Sequence, residues 1–235
     1  MVDKVIHYCW FGEKELPPEY KKYVEGWKKK FPDYQIIEWN EKNFPISEFK
    51  YAKQAYECKK YAFVSDVARI YALYNYGGIY FDTDVEVIKD FSSLLENATA
   101  VVGEESIEQK SFGTGFLFFE KKHKLMEALL NQYQLENFLL DSGELNTLPN
   151  THRLYDLIKE IYNTEPNGIN RQVDDLKIYS QEYFTAFDGF VGKTIITENT
   201  YCVHHFANSW SNKKSRFKNK LRIIFHRVLR FLKIK

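Results

Sequence analysis

The sequence is poor in cysteine, glycine and proline, and it has no long apolar run. Its three cysteines, Cys9, Cys58 and Cys202, show no Cys-x-x-Cys spacing, so we expect neither a disulfide framework nor a thiolate zinc site. The expected environment is a reducing compartment. With 11 glycines and 6 prolines in 235 residues, collagen-like and low-complexity chains are excluded. The charged start has no apolar core of a signal peptide and no stretch is long enough for a membrane span, so we expect neither cleaved-signal export nor a transmembrane chain.

Charge is divided along the chain, although the net charge is only +1. Residues 213–235 contain ten Lys or Arg and no Asp or Glu, whereas residues 1–212 contain 23 basic and 32 acidic groups. Apolar residues of the tail repeat at spacings of three and four, which predicts a basic amphipathic helix. We expect it to bind an anionic membrane surface, with packing on protein as the alternative. Nucleic acid is not expected as a partner, because the body is acidic.

The order of apolar segments predicts an α/β fold with a mainly parallel central sheet. We expect one domain over residues 1–212, followed by the basic tail, 213–235. The longest predicted helix, 52–76, ends at Gly77-Gly78. The other predicted segments are strands at 5–10, 34–39, 79–81, 100–103, 115–119 and 201–206, and helices at 17–30, 124–139 and 151–162.

Two carboxylates come directly after the buried strand 79–81. Side chains two residues apart on a strand point the same way, roughly 6 to 7 Å apart at their α carbons, so Asp82 and Asp84 can address one cation. Oxygen ligands suit Mg²⁺ or Mn²⁺, which complete their shell with phosphate oxygens. The pair therefore predicts a metal and diphosphate site at the carboxyl end of a strand. A solvated turn is the alternative for an isolated pair.

Other chemistry is compatible with the same residues. In a phosphatase of the haloacid dehalogenase type, Asp82 would be the nucleophile and Asp84 the general acid, although that pair belongs on the first strand and two strands precede it here. A glycosidase needs carboxylates on opposite sides of the bond, which neighbours on one strand do poorly. A non-catalytic nucleotide-sugar-binding protein also stays open. Asp66 and Arg69, three residues apart, form an ordinary helix ion pair when taken alone.

Three separated motifs are more specific together than any one of them alone. The first is Ile6-His7-Tyr8-Cys9-Trp10-Phe11-Gly12, and the second spans residues 61–84 with Ser-Asp-Val-Ala-Arg and Gly-Gly-Ile-Tyr-Phe-Asp-Thr-Asp. The third is His204-His205-Phe206-Ala207-Asn208-Ser209-Trp210. Together they resemble the sugar-binding D-x-D region of glycosyltransferase family 32. That family includes bacterial capsular polysaccharide enzymes and yeast initiating mannosyltransferases, and it shares this region with clostridial glucosylating toxins. Relatives often carry Thr-Gly-Pro where this chain has Thr147-Leu148-Pro149, a difference that concerns the acceptor side.

The resemblance implies a GT-A fold and a Mn²⁺- or Mg²⁺-dependent glycosyltransferase that retains anomeric configuration. The enzyme would move a hexose or N-acetylhexosamine from a nucleotide-sugar, with UDP-sugars favoured, to a saccharide acceptor, lipid-linked acceptors included. Its expected role is capsular or surface polysaccharide synthesis, in the cytoplasm and peripheral on the inner face of the cell membrane. No residue is assigned as a covalent nucleophile.

The resemblance also implies roles for single residues, with Asp82 and Asp84 as the catalytic pair. On the nucleotide-sugar, Trp10 would stack on the base, Asp66 would bind ribose or sugar hydroxyls, and Arg69 and Tyr80 would hold the sugar and phosphate. At the metal, Asp84 and His204 would be ligands, and Asp82 would contact ribose, sugar or metal. Ser209 and Trp210 would close over the diphosphate. Strand alternation sends His204 and His205 to opposite faces, so we expect only one of them in the site.

Overall fold

The computed structural model describes residues 4–188 and 193–207. The predicted domain boundary, the basic tail, Ser209 and Trp210 lie outside the described residues. Within them, every helix is too short or too polar to cross a membrane. The strands are β1 (Val5–Cys9), β2 (Gln35–Trp39), β3 (Gly78–Phe81), β4 (Val85–Val87), β5 (Ala100–Ser106), β6 (Ser111–Phe119), β7 (Arg171–Val173), β8 (Leu176–Tyr179), β9 (Phe187–Asp188), β10 (Lys193–Thr194) and β11 (Cys202–His204). The helices are α1 (Pro18–Lys30), α2 (Lys50–Glu57), α3 (Tyr61–Tyr76), α4 (Ser92–Leu95), α5 (Lys124–Leu135), α6 (Asn150–Tyr162) and α7 (Gln181–Phe184), with one 3₁₀ turn at Ile46–Glu48.

A seven-stranded sheet in the order β2-β1-β3-β6-β5-β8-β7 forms the centre of the fold. β1 pairs in parallel with β2 and β3, and β5 pairs in parallel with β8, whereas β6 and β7 run against their neighbours. Five of the seven strands therefore point in the same direction, which confirms the predicted α/β class and mainly parallel sheet. Two small antiparallel pairs, β9 with β10 and β4 with β11, lie beside it.

Apolar side chains cover the two faces of the sheet separately. Helices α2, α3, α5 and α6 pack on one face, and α1, α4 and α7 pack on the other. Alternation along β3 sends Tyr80 to the first face and Ile79 and Phe81 to the second. Tyr80 therefore lies on the same side of the sheet as α3, the helix that carries Asp66 and Arg69.

The predicted helix 52–76 is wrong as a single element, because the chain forms two helices there. Lys59 adopts a left-handed conformation with φ 57°. Its N–H donates to the carbonyl of Tyr56 and the N–H of Lys60 donates to that of Ala55, both at 2.8 Å. These two bonds form a Schellman motif, a common helix end that usually has glycine where Lys59 stands. Without that glycine, the sequence gives no local sign of the break.

The predicted helix 124–139 is also shorter than expected, since α5 ends at Leu135. Glu136 takes an extended backbone, and its two carboxylate oxygens accept bonds of 2.6 and 2.7 Å from the guanidinium of Arg153. A bidentate pair with an almost fully buried arginine stabilises this exit from the helix. The pair links α5 to α6, which lies behind Asp66.

Candidate active site

Asp82 and Asp84 lie in a tight turn after β3. The N–H of Asp82 donates to the carbonyl of Gly115 (2.8 Å), and the N–H of Val85 donates to the carbonyl of Asp82 (3.0 Å). The expectation that both aspartates stand on one strand face is wrong, because the chain turns between β3 and β4 instead of staying extended. The turn still directs the two carboxylates toward a common point.

His204 reaches the aspartates through a pairing between distant parts of the chain. β4 and β11 run antiparallel, with Val85 opposite His204. Nε2 of His204 lies 3.2 Å from Oδ1 of Asp84 and 3.8 Å from Oδ2 of Asp82. One ligand atom from each of the three residues lies within 4.8 Å of the others. The structure thus brings together the three residues that the sequence predicted as metal ligands.

Asp84 and His204 adjust each other's ionisation. Burial acts to raise the pKa of Asp84, but the hydrogen bond and charge of His204 hold it below its usual value, helped by the N–H of Ala207, 2.7 Å from Oδ2. Burial acts to lower the pKa of His204, and the bond to Asp84 raises it above its usual value. Each group thus favours the charged form of the other, and a metal ion bound here would take the place of the imidazole's proton.

Arg69 neutralises the aspartates on the other side of the turn. Its guanidinium lies 3.0 Å from Oδ1 of Asp66 and 3.3 Å from Oδ1 of Asp82, and it donates to the carbonyl of Thr114 at 2.7 Å. It also lies over the ring of Tyr80, 4.8 Å from the centroid. With only 6% of Arg69 exposed, its charge is held inside the protein. Burial acts to lower its pKa, but Asp82 and its other neighbours raise it.

Tyr80 lies beneath this network. Its ring is buried, and its hydroxyl donates to Oδ1 of Asp82 at 2.9 Å. Burial raises the pKa of Tyr80 well above its usual value, so the phenol keeps its proton and remains a donor. Tyr80 therefore orients Asp82, and its predicted contact with the sugar or phosphate remains a prediction.

Asp66 is held in place from α6. The side-chain amide of Asn150 donates to the carbonyl of Asp66 at 3.1 Å, and the hydroxyl of Tyr133 donates to Oδ1 of Asn150 at 2.6 Å. Burial raises the pKa of Asp66 to about 6, while Arg69 acts in the opposite direction. Asn150 directly follows the Thr147-Leu148-Pro149 segment, so the departure from the family pattern lies next to a residue that supports the site.

The hairpin of β5 and β6 contributes residues that the sequence did not indicate. Its register breaks twice, and the irregular backbone of β6 supplies the carbonyls of Thr114 and Gly115 that Arg69 and Asp82 contact. Glu105 lies at the second irregularity, and its carboxyl group is close enough to His204, Asp82 and Arg69 for their charges to act on it. The glycines within the strand pattern are a known sign of a bulge and were the available signal.

Two other predicted residues lie near this edge of the sheet. Trp10 follows β1, which runs parallel to β3, so it lies at the same edge as Asp82. Its indole N–H donates to the carbonyl of Lys14 (2.8 Å) and its ring lies 5.8 Å from that of Tyr20, while stacking on a base stays a prediction.

The side chain of His205 points away from the aspartates, as strand alternation predicted. Its Nε2 lies 2.9 Å from Oε2 of Glu86.

Part of the chain matches a known family of proteins. Residues 17–101 match the family described as the glycosyltransferase sugar-binding region containing the DXD motif. Inositol phosphoceramide mannosyltransferase 1 of Schizosaccharomyces pombe is 27% identical over 138 residues, covering 55% of this chain and 42% of that protein. Human lactosylceramide 4-alpha-galactosyltransferase is 36% identical over 70 residues, covering 30% of this chain and 18% of that protein. The chain thus spans less than half the length of these two relatives.

Solved structures support the fold. The PaToxG glycosyltransferase superimposes with a TM-score of 0.52 at 19% identity, covering 68% of this chain and 69% of that one. Mouse xyloside xylosyltransferase 1 superimposes with a TM-score of 0.50 at 11% identity, covering 89% of this chain and 99% of that one. These comparisons confirm the predicted family resemblance and the predicted resemblance to GT-A glycosyltransferases.

Proposed function

We propose that this chain, whose residues 17–101 carry the DXD sugar-binding region of glycosyltransferases, is a metal-dependent glycosyltransferase that uses a nucleotide-sugar donor. The convergence of Asp82, Asp84 and His204 beside the buried guanidinium of Arg69 is the observation that carries the proposal. Two carboxylates and an imidazole within 4.8 Å of one another form a donor set that fits Mn²⁺ or Mg²⁺.

The charges of the site favour a divalent cation. Among the described residues, Asp66, Asp82 and Asp84 face one permanently charged group, Arg69, and His204 lies 3.2 Å from Asp84. Excess negative charge at a partly buried site is unfavourable without a counter-ion. When bound, the metal would offset the negative charge that develops on the departing diphosphate.

Arg69 and Tyr80 act on the geometry of the same site. Arg69 holds Asp66 and Asp82 from α3, and Tyr80 fixes one oxygen of Asp82 by donating to it. The preorganised charges would need little rearrangement during transfer. Tyr80 and Arg69 both contact Oδ1 of Asp82, which leaves its other oxygen available to a metal ion shared with Asp84 and His204.

The finer description rests on the sequence resemblance. It includes a UDP-sugar donor, transfer of a hexose or N-acetylhexosamine with retention, and a saccharide acceptor, lipid-linked acceptors included. The cellular role would be capsular or surface polysaccharide synthesis. The basic tail, residues 213–235, would hold the enzyme on the cytoplasmic face of the membrane. The tail's composition supports this position, since it has ten cations and no acid.

A binding and turnover experiment tests the function. Purified protein is screened with Mn²⁺ and a panel of UDP-hexoses and UDP-N-acetylhexosamines for thermal stabilisation, and then for UDP release with and without saccharide acceptors. We expect Asp84→Ala to lose Mn²⁺-dependent stabilisation and UDP release, and we expect Asp141→Ala, at an exposed loop position, to behave as the wild type.

Three outcomes separate the alternatives. UDP release that depends on metal and increases with acceptor supports the transferase. Donor binding without release under any condition would indicate a binding protein. Full activity of Asp84→Ala, or of the wild type in excess chelator, would exclude the proposed metal role.

A further inference from the structure

The β5–β6 hairpin departs from regular pairing beside the aspartates. Val102 pairs with Leu117 and Glu104 pairs with Phe112, so one residue of β5 faces four residues of β6, 113–116. Ser106 then pairs with Ser111, which leaves Glu105 as an extra residue on β5 with no partner across the ladder. Bulges of this kind re-aim side chains and are frequent next to active sites.

Small residues surround Glu105 at this point. A side chain added to Gly113 would lie 3.8 Å from Cβ of Glu105 and 3.7 Å from the carbonyl oxygen of Gly103. The preceding residue, Glu104, is fully buried and pairs with Arg171 at 2.7 Å, so it fixes the backbone from the opposite side. Glu105 thus lies on an irregular strand whose backbone is fixed by its neighbours, and the missing side chain of Gly113 lets the two strands approach closely at this point.

The carboxylate of Glu105 has no hydrogen-bond donor among residues 4–188 and 193–207. Burial raises its pKa, with His204 and Arg69 acting to lower it and Asp82 acting to raise it. Glu105 is also not part of the group formed by Asp82, Asp84 and His204, whose ligand atoms converge within 4.8 Å. Glu105 is partly exposed, so a ligand in the cleft can reach its carboxylate, and a hydroxyl group of that ligand would supply the donor that the described residues do not.

We infer that Glu105 binds a hydroxyl group of a saccharide in the active cleft, as an acceptor that is separate from the metal ligands. The inference rests on the proposed function and deepens it by naming a residue that recognises sugar rather than nucleotide or metal. The hydroxyl belongs either to the sugar of the donor or to the acceptor saccharide. Both offer the same neutral O–H donor to the carboxylate.

Glu105→Gln tests the inference, and Glu108→Gln is its matched control. Glu108 is exposed on the same hairpin. The glutamine keeps the size of the side chain and removes its charge, so we expect an unchanged or higher melting temperature, because burial disfavours the charged carboxylate and no described residue donates a hydrogen bond to it. Affinity is measured for UDP and for the best-binding UDP-sugar of the panel, both with Mn²⁺, and the KM is measured for the acceptor.

Two results support the inference and identify the source of the hydroxyl. A loss of about 10-fold or more in UDP-sugar affinity, with UDP affinity unchanged, assigns Glu105 to the donor sugar. An increase of the same size in acceptor KM, with both nucleotide affinities unchanged, assigns it to the acceptor. Glu108→Gln should match the wild type in each measurement.

Other results would overturn the inference. Unchanged affinities and KM in Glu105→Gln exclude sugar recognition, and an equal loss for UDP and UDP-sugar places the residue on the nucleotide or metal side. If Glu105→Gln does not fold, Glu105→Asp, which keeps the charge but shortens the reach, is measured in its place. A folded Glu105→Asp without any selective loss of sugar affinity would then show that the role of Glu105 is structural. A wild type that binds UDP-sugars and turns them over would preserve the proposed function in each of these cases.

Discussion

The imidazole of His204 occupies the space that a side chain on Gly115 would fill. A Cβ built on Gly115 would lie 2.7 Å from both Cε1 and Nδ1 of the ring, closer than atoms of this kind approach in proteins. The ring also stacks on that of Phe206, with the centroids 4.0 Å apart. The orientation of His204 toward Asp84 therefore depends on the absence of a side chain in the neighbouring strand.

Gly115→Ala should weaken metal binding while the fold remains. The new methyl group must displace the imidazole, which is also stacked on Phe206, so Nε2 would leave its position 3.2 Å from Asp84. We expect the Mn²⁺ affinity, measured by electron paramagnetic resonance, to fall about tenfold, as for the loss of a group that orients a ligand. Circular dichroism should show an unchanged secondary structure.

Gly113→Ala provides the matched control in the same strand. A Cβ there would have its nearest neighbour at 3.6 Å, Oγ1 of Thr185, which is an ordinary contact. We expect wild-type Mn²⁺ affinity in this variant. Equal affinities in Gly115→Ala and the wild type would show that His204 is not needed to bind the metal.

Arg69→Met should destabilise the protein far more than loss of a surface pair. Arg69 is buried between Asp66 and Asp82, and its removal leaves two carboxylates without their cation. Breaking a buried ion pair by removing one partner costs about 3–5 kcal/mol. Urea unfolding measures this change in the free energy of unfolding.

Lys21→Met is the comparison, because Lys21 pairs with Glu15 at 3.1 Å on the exposed surface. Exposed pairs contribute about 0–1 kcal/mol, so the two variants should differ clearly. A similar small loss of unfolding free energy in both variants would mean that water, rather than Arg69, stabilises the charges of Asp66 and Asp82.

The contrast between Arg69 and Gly115 shows what the sequence could predict. Asp66 and Arg69 are three residues apart on a helix, which predicted only an ordinary pair; the structure adds Asp82 as a third member and buries all of them partly or fully. The candidate ligands Asp82 and Asp84 could be named from a motif that is local in sequence, and His204 from the family resemblance of the motif that contains it. Gly115, Glu105 and Asn150 could not, because their roles arise from strand register and helix packing between distant segments.

The boundaries of the elements show the same limit. α1 begins and ends close to the predicted 17–30, since Pro17 and Pro18 mark its start locally. The break after α2 could not be predicted, because Lys59 adopts the left-handed conformation in place of the usual glycine. Local signals thus identify an element, and tertiary contacts decide where it stops.

Truncation after Asn212 should reduce binding to anionic vesicles. The removed residues, 213–235, carry ten basic groups and an apolar repeat. Each basic group near an anionic surface contributes about 1 kcal/mol, so most of the affinity should be lost. Sedimentation with vesicles that contain phosphatidylserine compares the full and truncated chains, with neutral vesicles as the control. Equal partition of both chains would remove the anchor hypothesis.

Protonation of His7 should destabilise the fold at acid pH. His7 is buried in β1, where its Nδ1 accepts from the indole N–H of Trp39 (3.1 Å) and its Nε2 faces the carbonyl of Gly77 (2.8 Å). Both contacts fit a neutral ring protonated on Nε2, and a second proton on Nδ1 would oppose the Trp39 donor. Burial lowers the pKa of His7 from 6.5 to about 4, against the smaller effect of the Gly77 carbonyl.

Because the folded pKa lies below the unfolded value, the unfolded chain binds more protons between pH 6.5 and 4, and the contribution of His7 is lost as the pH falls through this range. At 1.36 kcal/mol per pKa unit, the loss is about 3 kcal/mol. Asp66, whose pKa is raised by burial to about 6, changes the free energy of unfolding in the opposite direction as the pH falls through an overlapping range. The measurement is therefore the difference in unfolding free energy between the wild type and His7→Gln at each pH. That difference should shrink from pH 7 to pH 4, and a constant difference would show that His7 does not titrate on unfolding in this range.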